Sequence, residues 1–376
     1  MASVSPFGRV AAVILAAAFL LEAAPVQALK IEADEIPTGL PLSVNLYAVG
    51  WRPDGKEAVA VGDSRAVVVY RDSTGSFRRV EAPSAPEFLL DVAWKPDSGF
   101  ALAVGSGGAA SLYNGETVTT VATGTTSYLY DVGWWPDGSA ALVVGSGGTV
   151  LRYAGGVFSP LQSGVTANLM GVACHPMNGS ALAVGLNSTF LMISPGGAVQ
   201  KFAFEGDWSL HSVAWNPQGT LAVITGGNGI VATYDGTAIK FINRDRPNVF
   251  LDCCWKPDGS QALVCGETGI ILRLAEGRLK YVDPGIRIQF QGIAYRPDGS
   301  YALAVGNKAK CVRYPMKEAP RQPGLLDNPL VLGGTAAVVA TAFAYVVYRE
   351  WRDRRELRSK KSRADEIPRP AKKRRR

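Results

Sequence analysis

Aspartate is the residue whose repetition in this sequence could do chemistry. Asp54, Asp97, Asp137, Asp258 and Asp298 each follow a proline and precede a glycine or serine. A second set, Asp91, Asp131 and Asp252, stands three residues before a tryptophan. Ser212 holds that offset before Trp215, while Ala48, Gly171 and Gly292 hold it in the remaining cases. Carboxylates brought together would suit calcium binding or paired acid/base work. The first set recurs at one turn of successive units, so its members are spread over the molecule and read as turn residues. The second set is incomplete and reads as caps on neighbouring backbone amides.

Histidine and cysteine are too scarce to extend the list. Two histidines, His175 and His211, and five cysteines leave little for a His-based metal site or a Ser-His or Cys-His pair. We assign no catalytic residue, no metal and no cofactor. Cys253 and Cys265 flank one Pro-Asp-Gly turn; a disulfide is permitted outside the cell, but both positions suit small buried thiols. Tyr47, Phe88, Tyr128, Tyr130, Trp208, His211 and Phe250 gather just before a series of similar strands. If they ring one mouth of the fold, they form a candidate recognition surface; packing between units is the competing reading. Asn178-Gly179-Ser180 and Asn187-Ser188-Thr189 fit the glycosylation acceptor pattern.

The elements that position these residues form one motif written seven times. Its anchors are Trp51, Trp94, Trp134, Cys174, Trp215, Trp255 and Tyr295, spaced 40 to 43 residues apart. Two residues after each anchor stands a proline, and eleven after it a glycine, from Gly62 to Gly306. Each unit reads as four short strands. One alternates up to the anchor, as in residues 129–134, and a Pro-Asp-Gly turn follows. The second is an apolar run such as Ala-Leu-Ala-Val-Gly, buried on both faces. The third ends near Tyr70, Tyr113, Tyr153, Tyr234 or Tyr314, and a weaker fourth follows, as in residues 76–80. Four antiparallel strands per ~40 residues, seven times over, is the arithmetic of a seven-bladed β-propeller. Repeat seven runs into a segment with three prolines, so residues 29–33 are expected to supply its outer strand and close the ring.

These units resemble the WD-repeat propeller superfamily, whose repeats carry a similar Pro-Asp-Gly hairpin before an apolar second strand. The resemblance covers roughly residues 30–316. No Gly-His precedes the first strand, and tyrosine stands where the Trp-Asp close would be, so that family's hydrogen-bond network is not implied. A similar glycine-punctuated hairpin occurs in photosystem-assembly and Asp-box propellers.

Both ends read as sorting devices. Residues 1–28 have a positive Arg9, a 12-residue apolar stretch over 10–21 and small residues at Val26 and Ala28, as a signal peptide cleaved after Ala28 would. Residues 321–328 are a linker. Residues 329–348 are 20 in a row without a charge, about 30 Å as a helix, which matches a bilayer core. Of the chain's +7, residues 349–376 carry +9 (14 Lys/Arg, 5 Asp/Glu), so the preceding 348 carry −2. By the positive-inside rule that basic tail is cytoplasmic and the propeller outside, with the tail against anionic lipid headgroups. The near-neutral body gives no basic face for nucleic acid.

The fold expected is therefore all-β, a seven-bladed propeller with four-stranded antiparallel blades, plus one C-terminal transmembrane helix. The function expected is a protein- or glycan-binding scaffold on the cell membrane, with assembly of a membrane protein complex as the alternative. A propeller glycosidase or lyase needs carboxylates converging on one mouth, and the short loops offer little to build it from.

Overall fold

A computed structural model of the chain describes residues 29–30, 34–244 and 247–315. The signal-peptide segment 1–28, the linker 321–328, the apolar stretch 329–348 and the tail 349–376 lie outside them. Among the described residues no helix is long and apolar enough to cross a membrane.

The repeats fold into seven antiparallel sheets set around a ring. Blade three is representative: Leu129–Trp134, Ala141–Gly145, Val150–Ala154 and Val157–Leu161 pair in that order. The first strand of each blade packs against the first strand of the next, and Phe290–Tyr295 packs against Leu46–Trp51, which closes the circle around a central axis. The second strands, such as Ala141–Gly145, are buried along their whole length, as their uninterrupted apolar sequence requires.

The hydrophobic core is seven seams between blades. In the seam between blades seven and one, Leu46, Val49 and Trp51 meet Leu303 and Val305. Ala48, on the opposite side of the same strand, packs with Leu89 and Val92 of blade two. Each fully buried Leu or Val contributes about 1.5–3 kcal/mol. The tyrosines that replace the Trp-Asp close serve these seams. Tyr70, Tyr113, Tyr153 and Tyr234 lie 5.8, 5.8, 5.9 and 6.0 Å from the rings of Trp51, Trp94, Trp134 and Trp215.

The glycine eleven residues past each anchor is explained by crowding. At Gly105 a Cβ would lie 1.9 Å from the Phe88 carbonyl oxygen, and the other six glycines face the corresponding carbonyl at 1.9 to 2.2 Å. There the chain entering the first strand crosses the end of the second. The backbone at Gly105 is extended, so the demand is for space alone.

Ring closure departs from the sequence expectation. Asp34–Glu35, a few residues downstream of the expected segment, forms the outer strand of blade seven, antiparallel to Arg313 and Val312. Leu29–Lys30 instead runs parallel to Val282 and Asp283, a fifth strand on blade six. The register is set by burial. Ile36 enters the seam between blades seven and one, with its N–H donating to Cys311 O at 2.9 Å. Thr38 Oγ1 donates to Ala309 O at 2.9 Å, and Lys310 pairs with Glu35.

Candidate functional site

The two aspartate sets part company in the structure. The prolyl aspartates sit at the first hairpins and each closes its own turn. Asp54, Asp97, Asp137, Asp258 and Asp298 accept the backbone N–H two residues on at 2.9 to 3.0 Å. They do not converge.

The other three line the central axis. A first strand is the inner edge of its blade, so part of its N–H row has no sheet partner. Asp91 Oδ2 accepts Val132 N–H of blade three at 2.9 Å, Asp131 Oδ2 accepts Val172 N–H of blade four at 2.6 Å, and Asp252 Oδ2 accepts Ile293 N–H of blade seven at 2.8 Å. Each carboxylate thus ties its strand to the next. Val132 N–H is shared, since Asp131 Oδ1 also takes it at 2.8 Å; the carboxyl groups of Asp91 and Asp131 therefore lie side by side. Asp252 Oδ1 accepts Cys253 N–H at 2.7 Å and the Ser212 hydroxyl at 3.0 Å. At the equivalent places in blades four and seven the strands are too close for side chains. A Cβ on Gly171 would meet His211 O at 2.9 Å, and one on Gly292 would meet Ala48 Cα at 2.8 Å.

These carboxyls keep some area open to the channel, yet the surrounding protein strips most of their water. Burial pushes Asp131 well above the usual carboxylate range, and the negative Asp91 beside it pushes the same way. Burial raises Asp252 to about 6, with the Ile293 amide bond opposing it. Among the described residues, no group of three or more His, Cys, Asp or Glu side chains could hold a metal ion. All five cysteines are free thiols, Cys253 and Cys265 included.

One residue above the carboxyls, the first strand of every blade carries a β-bulge. The bulged residues are Tyr47, Leu90, Tyr130, Met170, His211, Leu251 and Gln291, all half-buried. They form a collar at the mouth of the channel. Burial raises the Tyr47 and Tyr130 hydroxyls and lowers His211, which Glu267 pulls the other way. A bulge re-aims its side chain, which is how seven strands packed near one axis turn these groups to the mouth.

Of the aromatic residues singled out from the sequence, the structure brings Tyr47, Tyr130 and His211 into this collar. Phe88 and Tyr128 lie on the rim beside it, 37% and 47% exposed; Tyr128 stacks on Tyr130 at 6.3 Å. Trp208 is folded back on its own loop, its indole N–H donating to Glu205 O at 2.7 Å, and it packs on the seam between blades four and five. Phe250 is wholly buried. Asn178 and Asn187 are both exposed but on opposite faces, one in a first hairpin and one in the turn after a second strand. Leu90, Met170, Leu251 and Gln291 were not singled out from the sequence; their common offset, four residues before the anchor, is the signal that finds them.

The opposite face holds a second repeated device. In four blades the residue after the anchor reaches forward over the next blade, whereas Asn216 bonds to Thr220 and Leu221 of its own turn. The Arg52 guanidinium lies 5.4 Å from the Trp94 ring centre, Trp135 Nε1 donates to Gly179 O at 2.7 Å, and His175 packs 4.6 Å from Trp215 with its Nε2 2.9 Å from Gly219 O. Arg296 closes the circle on Asp72 at 2.9 Å and on Trp51.

No protein-family model matches this sequence, and no curated protein matches it. The fold is nevertheless similar to solved structures. The chain superposes on "YCF48 bound to D1 peptide" with a TM-score of 0.61 at 15% identity, covering 78% of this chain and 100% of that one. At that identity the likeness bears on the fold alone, and it agrees with the propeller of seven four-stranded blades that the sheets form.

Proposed function

We propose that this protein is a membrane-anchored, extracytoplasmic propeller that binds protein partners as a non-enzymatic scaffold for a membrane complex. The observation that carries this reading is the mouth. A rigid ring presents Phe88 and Tyr128 to solvent, with the half-buried Tyr130 stacked beside Tyr128, and partly exposed aromatics on a fixed frame are the usual anchors of an interface. The carboxyls that might have served an enzyme are engaged in blade-to-blade hydrogen bonds. The peptide present with YCF48 supports a protein rather than a small substrate.

The anchoring half of the proposal rests on sequence. Residues 1–28 direct export, residues 329–348 span the bilayer with the propeller outside, and the basic tail lies against anionic headgroups on the cytoplasmic side. Affinity capture with the tagged full chain, solubilised from membranes, tests the whole reading. A membrane protein complex retained in stoichiometric amount is expected; a chain that purifies alone from mild detergent would overturn it.

A further inference from the structure

The rim of the mouth is uneven in charge. From the turn after the second strand of blade two to the same turn of blade four, residues 106–109, 122–128, 146–149, 162–168 and 186–188 contain no charged side chain. Tyr128, one of the five exposed large apolar side chains of the described residues, stands in this sector, and Phe88, another, stands at its edge next to Glu87. An open groove of ≈ 540 Å³ in the sector runs between residues 107–109 and 120–126. Such a surface repels no partner by charge and offers apolar area to one that brings its own.

Under the collar the balance is reversed. Asp91 and Asp131 share one N–H and lie side by side, and their described partners are backbone amides and each other; Asp252 adds only amides and the Ser212 hydroxyl. None of these partners is a cation. Carboxylates desolvated without a countercharge are costly, and a cation brought to them recovers part of that cost. Tyr130 and Asp131 are neighbours in the chain, so the carboxyls lie only ~3.3 Å of strand rise below the collar, within reach of a long side chain whose stem stays apolar.

We propose that this sector docks an extended protein segment in which aromatic or aliphatic side chains flank one lysine or arginine. The apolar groups lie on Phe88, Tyr128 and Tyr130, and the cation enters the channel mouth toward Asp91 and Asp131. The inference rests on the scaffold reading and names the chemistry of its partner.

Panning a random heptapeptide library on the immobilised full chain tests it. Selected peptides should share one Lys or Arg between aromatic or aliphatic residues. A consensus peptide synthesised from them should bind about tenfold or more weakly to Asp91→Asn/Asp131→Asn, and about as much more weakly to Tyr128→Ala. Wild-type affinity should also fall as pH is lowered and the Asp131 carboxyl, raised by burial, takes up its proton. Thermal melts confirm that each variant is folded; should the double variant fail to fold, Tyr128→Ala and the pH series decide. Selection of acidic or uncharged peptides, no selection at all, or affinity unchanged in folded variants overturns the proposal. If capture of a membrane complex succeeds while the library selects no basic consensus, the scaffold reading stands and this inference falls.

Discussion

Asp252→Asn is expected to make the ring more stable at pH 8 and to lose that advantage toward pH 4. Burial holds the Asp252 carboxyl at about 6, against ~3.9 in an unfolded chain. The folded state thus binds this proton more tightly than the unfolded one. Its contribution to stability is complete below the unfolded value and is lost as pH rises through about 6. Two pH units of displacement correspond to about 3 kcal/mol. Asparagine is always neutral and escapes that loss. It has one acceptor oxygen, however, where Asp252 uses two for the amides of Ile293 and Cys253, and forfeiting one bond costs about 1 kcal/mol. The balance favours the variant by about 2 kcal/mol at pH 8 and shrinks toward zero at pH 4, where the folded carboxyl is itself neutral and has one carbonyl oxygen, like asparagine. Urea unfolding of both proteins across this range measures the difference directly. A stability difference independent of pH would refute the reasoning, because the carboxyl would then carry no charge penalty in the folded ring.

Three further outcomes follow from the geometry and the sequence. Gly105→Ala should lower stability by about 3 kcal/mol or more, since its Cβ meets the Phe88 carbonyl at 1.9 Å; a melting temperature within 2 °C of wild type, roughly half the least shift such a loss gives, would contradict the close crossing. Arg296→Ala removes the contacts to Asp72 and Trp51 and should cost about 1–2 kcal/mol, read by calorimetry, with the loss smaller in high salt. N-terminal sequencing of the membrane-extracted protein should begin at Leu29, and a chain beginning at Met1 would sink cleavage after Ala28.

The blades were legible because one hairpin was written seven times, and the glycine after each second strand had only one structural use. The closing strand was misplaced because likeness between segments says nothing about which residue a seam will bury. Ile36 decides the register through its contact with blade seven, a long-range effect that a scan of local similarity does not weigh. The carboxyl ring was half legible. Its recurrence before the anchors suggested amide caps, but that the bonds run from one blade to the next, and that Asp91 and Asp131 lie together, depends on how close the inner strands come. The collar was missed in four blades because Leu90, Met170, Leu251 and Gln291 share a position without sharing a residue type. Trp208 and Phe250 looked like surface aromatics from their places before strands. Local folding and burial took them out of the mouth.

Site-specific photo-crosslinking in intact membranes tests the central claim most directly. A benzophenone amino acid replaces Tyr128 at the mouth or, as a control, Met177, which is 76% exposed on the opposite face. The account predicts one discrete protein adduct from position 128 and none from position 177. Equal adducts from both positions, or an adduct from 177 alone, would show that the mouth is not where this propeller meets its partner.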